Sequence, residues 1–396
     1  MKQLKIGISL LLVFCLQITA AFAAVKPQPQ PEEPPHVQIK PGDALPNVTA
    51  RSAVVMEAAT GKILYARDMD EKRYPASTTK IMTLIIALEQ GNLDDIVTVS
   101  ENASHTEGST LWLEPGEKIK LSDLLYGMML ISGNDATVAV AEHIAGSVDA
   151  FARLMTAKAH EIGAQNTSFV NSSGLPDDRH FTTAHDLALI AAYGYRNPEF
   201  AEIVSTKEWK IPWPTHIEDR ELKNENQMLW LYRGGNGVKT GYTDAAGRCL
   251  VSAASRDGIQ LISVVLDSLY MWNDSIALLD YGFRQTNTKE VVHEGDVVKT
   301  IRVISGRQDT LALKAEHTLS VPEFENEKLG FYTRIDAPDR LQAGMKAGDA
   351  IGRLVVLYDG KEIASTNLVA ADTVEKKSFF TFLSNQLTRL FQFLFA

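Results

Sequence analysis

The spacing of apolar residues changes period several times along the chain, and each change marks a predicted element. Residues 52–57 form a β-branched, apolar run, Thr60-Gly61 reads as a turn, and residues 62–66 are the predicted hairpin partner. From Thr78 to Glu89 the period becomes helical, with Ile81, Leu84, Ile85 and Leu88 three and four apart, and Gly91-Asn92 stops it. Further helices are predicted over 123–130 behind an N-cap at Ser122, over 135–144, over 151–162, and from Thr183 through Ala192. In the last of these Asp186 lies three residues after Thr183, as in a capping box. Pro212-Trp213-Pro214 must be loop. Residues 238–242, 248–255 and 259–266 then read as strands, with Asp257-Gly258 as a hairpin turn, and 274–281 as a closing helix. Strands, helices, then strands again predict an α+β domain: an antiparallel sheet assembled from both ends of the segment, with helices on both faces and a helical subdomain.

Beyond about Arg284 helical periods give way to short β-prone runs at 300–304, 310–313, 330–335 and 351–357, predicting a small all-β domain. The tail, 376–396, is different again. Phe379, Phe380, Leu383, Leu387, Leu390, Phe391 and Leu394 recur at steps of three and four, with Thr381, Ser384, Asn385, Thr388 and Gln392 between them. As a spanning helix it would place Asn385, Gln386 and Arg389 near the bilayer centre, so it reads as an amphipathic helix lying in the membrane interface. A helix packed on the protein or on a partner is the alternative. At the other end, Lys2 and Lys5 precede an apolar stretch from Ile6 to Ala21, and Ala21-Phe22-Ala23 fits a cleavage site. The predicted map is a signal peptide at 1–23, a spacer at 24–38 carrying five prolines, a catalytic domain at 39–284, an all-β domain at 285–371, and a membrane-anchoring helix at 376–396. A cleaved leader and an interfacial tail place the protein outside the cytoplasm, on the outer face of a membrane.

Composition narrows the function classes. The 396 residues are 45% apolar and 22% charged, enough for a sizeable core. The net charge of −10 becomes −12 if Lys2 and Lys5 leave with the signal, and no region is strongly basic, which argues against nucleic acid. Cys15 lies in the signal, so Cys249 stands alone and no intrachain disulfide is expected; within Cys249-Leu250-Val251 it reads as a buried small hydrophobe. The nine histidines show no ligand spacing, and no metal or other cofactor is expected.

Candidate chemistry lies in three short motifs: Ser77-Thr78-Thr79-Lys80, Ser132-Gly133-Asn134 and Lys239-Thr240-Gly241. Each alone is common; together, each falls where a role needs it. Ser77 opens a predicted helix, near unsatisfied N–H groups and the positive dipole end. Lys80, at i+3, lies on the same face and can take the hydroxyl proton if it is neutral, which burial and a second cation at Lys239 favour. Ser132 and Asn134, between two helices, can relay a proton to a leaving nitrogen and hold a substrate amide. Lys239 and Thr240 can receive a carboxylate, and the strand through Gly241 can align an extended substrate, with the N–H of Tyr242 completing an oxyanion hole.

Pro-Ala-Ser-Thr-Thr-Lys, Ser-Gly-Asn-Asp-Ala and Val-Lys-Thr-Gly-Tyr-Thr closely resemble the three signatures of penicillin-binding proteins and serine β-lactamases. Gly174-Leu175-Pro176 and His180-Phe181-Thr182-Thr183-Ala184-His185-Asp186-Leu187 resemble the D-alanyl-D-alanine carboxypeptidase branch, as do the β domain and tail. The resemblance implies Ser77 as nucleophile, Lys80 as base and supporting roles for Ser132, Asn134, Lys239 and Thr240. It also implies peptidoglycan stem peptides ending in D-Ala-D-Ala as substrates and β-lactams as acylating inhibitors. A β-lactamase fits less well, because Gly133 stands where class A enzymes carry Asp and no Glu-x-x-x-Asn segment supplies a deacylating Glu. A silent penicillin-binding scaffold is the third reading, and carboxypeptidase and endopeptidase share the same first step. The branch often uses an arginine for the substrate carboxylate; residues 224–230 hold none, which leaves Arg248 as candidate, or as a solvated strand-end residue.

Overall fold

The computed structural model describes residues 45–324 and 330–377. The expected signal segment and spacer, and the tail from Ser378 onward, lie outside the described residues.

A five-stranded antiparallel sheet runs in the order Ile63–Arg67, Ser52–Glu57, Ile259–Ser268, Gly247–Arg256, Gly235–Thr243. The first hairpin thus pairs with the last strand, and the sheet is assembled from both ends of the segment as expected. Alternation explains why these strands are apolar almost throughout. Val54, Met56, Val251, Ala253, Ile262 and Val264 face one side, while Val55, Leu250, Ala254, Leu261 and Val265 face the other. The helix Met271–Gln285 closes the second side through Trp272, Leu278 and Leu279. The first side carries the helical subdomain, built on Lys80–Gln90, Leu121–Leu130, Asn134–Ala145, Val148–Ile162 and Ala184–Gly194. Leu84 sits in its centre with no exposed surface, and shortening it to Ala removes about 2–5 kcal/mol of stability.

Helix starts differ from expectation for local reasons. Ser122 caps nothing: the helix begins at Leu121, and the N–H groups of Leu121 and Ser122 are taken by the carbonyls of Asp95 and Leu93. Ser147, by accepting from the N–H of Ala150, starts the next-but-one helix at Val148. Thr183 does cap Ala184–Gly194 through the N–H of Asp186. The Asp186 carboxylate does not return the contact; it accepts instead from the N–H of Asn166 and the hydroxyl of Thr167.

From Thr286 onward the described residues are strands and turns. A six-stranded sheet has the order Tyr332–Asp336, Ala350–Tyr358, Lys361–Ala370, Thr310–Ala315, Val297–Ile304, Arg340–Gln342, beside a two-stranded pair of Thr286–Val292 and Leu319–Phe324. Leu313, Val356 and Leu368 form its own core. Pro322 hides the strand Leu319–Phe324 from sequence reading, yet proline is tolerated in a pair that has an open edge.

Candidate active site

Ser77 lies in a 3₁₀ turn, Ala76–Thr79, that runs directly into the helix Lys80–Gln90, so the α-helix starts two residues later than the apolar period suggests. Two glycines let other segments press on this turn. A Cβ at Gly174 would fall 1.8 Å from the carbonyl oxygen of Ala76, and one at Gly241 would fall 2.9 Å from the nitrogen of Ser77. Neither position admits a side chain without moving backbone. The edge strand Gly235–Thr243 and the loop around Ser173 therefore close on Ser77 from two directions.

Lys80 is fully buried, and its Nζ has three partners: the Ser77 hydroxyl at 2.9 Å, Asn134 Oδ1 at 2.7 Å and the Ser173 carbonyl at 2.9 Å. Asn134 is held in that orientation because its Nδ2 donates to the carbonyl of Glu107 at 2.7 Å. Of the three partners only the Ser77 hydroxyl can give a proton; a carbonyl and an amide oxygen can only accept. As an ammonium Nζ donates to all three; as the neutral amine it keeps its two N–H bonds for Asn134 and Ser173 and turns its lone pair to the Ser77 hydroxyl. Burial, and next the positive charge of Lys239, hold the ammonium form well below lysine's ordinary range, against the opposing pull of Glu225 and Asp135.

Lys239 is also buried, on the strand that passes the turn, with its Nζ 3.3 Å from Thr240 Oγ1. Burial brings it down to about 8, with Glu225 resisting. Two buried lysines in one site are therefore both biased towards neutrality, and Lys80 more so because Lys239 repels its proton.

The remaining candidates are placed unevenly. Ser132 is buried at a positive φ of 64° between the helices Leu121–Leu130 and Asn134–Ala145, and among the described residues its hydroxyl has no hydrogen-bond partner. Asn134 begins a helix rather than ending a loop, and its side chain is committed to Lys80 and Glu107. Tyr242 is exposed, its hydroxyl donating to Asp244. Arg248 pairs across the sheet with Tyr242, one position beyond the Gly241–Cys249 pair and so on the opposite face from Gly241. Cys249 is fully buried, and burial pushes its thiol up to about 12.

Several residues that complete the site carried no sequence assignment. The Asp135 carboxylate takes the N–H groups of Leu111 and Leu113 and the Thr110 hydroxyl, and so fixes the loop beside Asn134. Its place directly after Asn134, at a helix N-terminus, was the available signal. His180 is buried behind the turn: its Nδ1 accepts from the N–H of Val170, which leaves Nε2–H to donate to Thr79 Oγ1 at 2.9 Å. Burial lowers it to about 4, so it is neutral at physiological pH. His185, by contrast, faces Asp70 at 3.1 Å in a half-exposed pair, as a helix N-terminal packing residue does. Trp209 stacks on Tyr126 and Trp213 on His216 and Arg220, while Trp112 is exposed.

Comparison with known proteins agrees with this geometry. The sequence pattern of the family described as D-alanyl-D-alanine carboxypeptidase matches residues 39–269, and that of the penicillin-binding protein 5 C-terminal domain matches residues 287–376. The D-alanyl-D-alanine carboxypeptidase DacF of Bacillus subtilis is 34% identical, over 85% of this chain and 89% of its own. The crystal structure of penicillin binding protein 5 from Haemophilus influenzae superposes with a TM-score of 0.60 at 32% identity, covering 85% of this chain and 100% of that one. A Streptomyces K15 DD-transpeptidase reaches a TM-score of 0.58 at 34% identity, over 61% of this chain and 100% of its own.

Proposed function

Because the chain belongs to the D-alanyl-D-alanine carboxypeptidase family, and is thereby a serine DD-carboxypeptidase of peptidoglycan metabolism, we propose that Ser77 carries the acyl group and that Lys80 moves the proton. The observation that carries this reading is the partner set of Lys80, in which the Ser77 hydroxyl is the one available donor. Lys80 takes that proton as Ser77 Oγ attacks the carbonyl between the two D-alanines. The N–H groups of Ser77 and Tyr242 hold the oxyanion, and Gly241 lets the strand come close enough for both to face one oxygen. Lys239, as its cation, and Thr240 receive the terminal carboxylate, with Arg248 contributing longer-range positive charge. Lys80 hands that proton on through the Ser132 hydroxyl to the leaving nitrogen, the C–N bond breaks, and free D-alanine departs. Asn134 holds Lys80 in register and faces the amide of the bound stem. Water then attacks the acyl-enzyme, giving a proton to Lys80, which returns it to Ser77 Oγ as the ester bond breaks and the shortened stem is released.

A β-lactam enters the same sequence and stops at the acyl-enzyme on Ser77. Residues 1–23 direct export and are removed, 24–38 are a spacer, 39–284 carry the chemistry and 285–371 form the β domain. Residues 376–396 hold the enzyme on the outer face of the cytoplasmic membrane; among the described residues no helix is long and apolar enough to cross one. The reading is tested by D-alanine release from a D-Ala-D-Ala peptide. Release must stop with Ser77→Ala and with penicillin, and activity that survives either change overturns it. For the tail, a protein shortened at Glu375 must leave sedimenting membranes; if it still sediments with them, the anchor lies elsewhere.

A further inference from the structure

The two oxygens that accept from Lys80 are themselves held by buried hydroxyls outside the bond-making steps. Thr83 lies three residues beyond Lys80 on the same helix, hence on the same face one turn on, and it is fully buried. A threonine inside a helix commonly returns its hydroxyl to a carbonyl of the preceding turn. Thr83 instead donates from Oγ1 to the carbonyl of Ser172 at 2.7 Å, across 89 residues of chain. The next carbonyl, that of Ser173, is the one that accepts from Lys80. One helix face thus grips two successive carbonyls of one loop, the first through Thr83 and the second through Lys80. Within the loop, Asn171 Oδ1 accepts from the N–H groups of Ser173 and Gly174 at 3.2 and 2.7 Å, a local turn that keeps both carbonyls within reach of the helix.

The same loop is tied to the second acceptor. Ser172 Oγ donates to Thr137 Oγ1 at 3.1 Å, and Thr137 Oγ1 donates to the carbonyl of Asn134 at 2.7 Å. Asn134 closes the circuit through its Oδ1, which accepts from Lys80. A ring of contacts therefore runs Lys80, Ser173, Ser172, Thr137, Asn134 and back, with Thr83 fastening Ser172 to the helix of Lys80. Thr83, Thr137 and Ser172 expose no surface, so water does not compete for these bonds.

A neutral amine aims its lone pair at one hydroxyl only if both its N–H bonds are fixed, and each is fixed by where its acceptor stands. We propose that Thr83, Ser172 and Thr137 are positioning residues of the reaction: by registering the Ser173 and Asn134 acceptors against each other, they aim Lys80 Nζ at the Ser77 hydroxyl. This rests on the reading of Lys80 as the base. Thr83→Val keeps the shape of the side chain and removes the donor, so the loop that carries the Ser173 carbonyl loses its fastening to the helix.

The test is the rate constant for acylation of the full-length protein by a fluorescent penicillin, measured with its stoichiometry across about pH 5 to 10. Stoichiometry counts the folded molecules, and the rate constant belongs to each folded molecule. Thr83→Val is expected to slow acylation about 10- to 100-fold and to change the preceding noncovalent affinity by less than about 2-fold. It should also displace the acid limb of the rate profile, which reports the base. Thr83→Ser, which restores the donor, should recover the rate to within about 3-fold. Thr137→Val should slow acylation as well, and the double variant should be no slower than the slower single one, because the hydroxyls act as one unit. An unchanged rate constant and profile in Thr83→Val, no recovery in Thr83→Ser, or strictly additive losses overturns the assignment. Loss of stoichiometry alone overturns it too, since that marks a role in stability. Should Thr83→Val yield no acylable protein, Thr137→Val and Ser172→Ala decide by the same rate constant. Lys80→Ala is measured alongside. Acylation of that variant at full rate removes the base reading and the positioning role together; slow acylation there with an unslowed Thr83→Val removes the positioning role alone.

Discussion

The sheet-and-helix region up to Gln285 and the β region after it treat charge in opposite ways. In the first, Lys80, Lys239, Asp135, Asp186, Asp274 and Arg220 are all buried. In the second, the buried polar residues among those described are Thr286 and Thr366, and every ion pair has at least one well-exposed side chain. Burying an ion costs several kcal/mol unless partners offset it, so a fold retains such groups only where something else requires them. Arg220 shows a structural use: it is paired with Glu117 at 2.8 Å with both side chains nearly inaccessible, which ties the strand Arg220–Lys223 to the loop below Trp112. Lys80 and Lys239 show the other use. They have no carboxylate partner within salt-bridge distance among the described residues; burial lowers both, Lys80 further because Lys239 repels its proton, which favours the neutral amine proposed for Lys80 and leaves Lys239 a cation below about pH 8.

The contrast is broken most forcefully at Ser77, the proposed nucleophile. Ser77→Ala should lower D-alanine release by at least about 10³-fold. The thermal midpoint should move only by a few degrees, because one hydrogen bond of about 1 kcal/mol is lost.

A smaller effect separates the two regions by pH. His180 has a folded pKa of about 4, below the roughly 6.5 of an unfolded histidine. Between those values the unfolded chain binds a proton that the folded chain refuses, so stability falls as pH drops from 6.5 towards 4, by on the order of 3 kcal/mol. Denaturant titrations across that range should show this slope, and His180→Gln should flatten it. An unchanged slope in that variant would assign it to other groups.

Lys239 predicts a milder dependence in the alkaline range. Its cation is lost above about pH 8, and with it the attraction proposed for the substrate carboxylate. The kcat/KM profile should therefore fall by up to about 10-fold per pH unit beyond 8. Lys239→Arg, whose charge persists, should carry that limb to higher pH.

The smallest effect is expected in the β region. Arg353, which bonds Glu362 and Ser365 at the surface, should give less than about 0.5 kcal/mol and unchanged D-alanine release when replaced by Ala. Such a replacement that abolished activity would show that the two regions are not chemically separate.

What could be read from sequence follows contact range. Ser77 and Lys80 are three residues apart on one turn, and the long apolar strands of the central sheet announce themselves by composition. The contacts that turn those residues into a site span far more chain: Lys80 meets Asn134 and Ser173 across 54 and 93 residues, and Thr79 meets His180 across 101. No periodicity encodes such distances, so His180, Ser173 and Glu107 could not be assigned from spacing. Short elements were also hidden. The helix Pro198–Ser205 carries a legible start in Asn197-Pro198 but only two turns, and the hairpin of Glu208–Ile211 and Arg220–Lys223 is interrupted by the Pro212-Trp213-Pro214 loop. In the β region the strand Lys361–Ala370 alternates too weakly to stand out, because its first five residues are half-buried or exposed before Thr366 is buried and Leu368 enters the core.

The central claim is that the proton held between Ser77 and Lys80 makes Ser77 the acylated residue. Mass spectrometry of the protein after brief exposure to penicillin tests it most directly. One adduct on the peptide containing Ser77, absent from Ser77→Ala and strongly slowed in Lys80→Ala, is the predicted result. An adduct on Ser132, or one that forms on Ser77 at an undiminished rate without Lys80, would contradict the account.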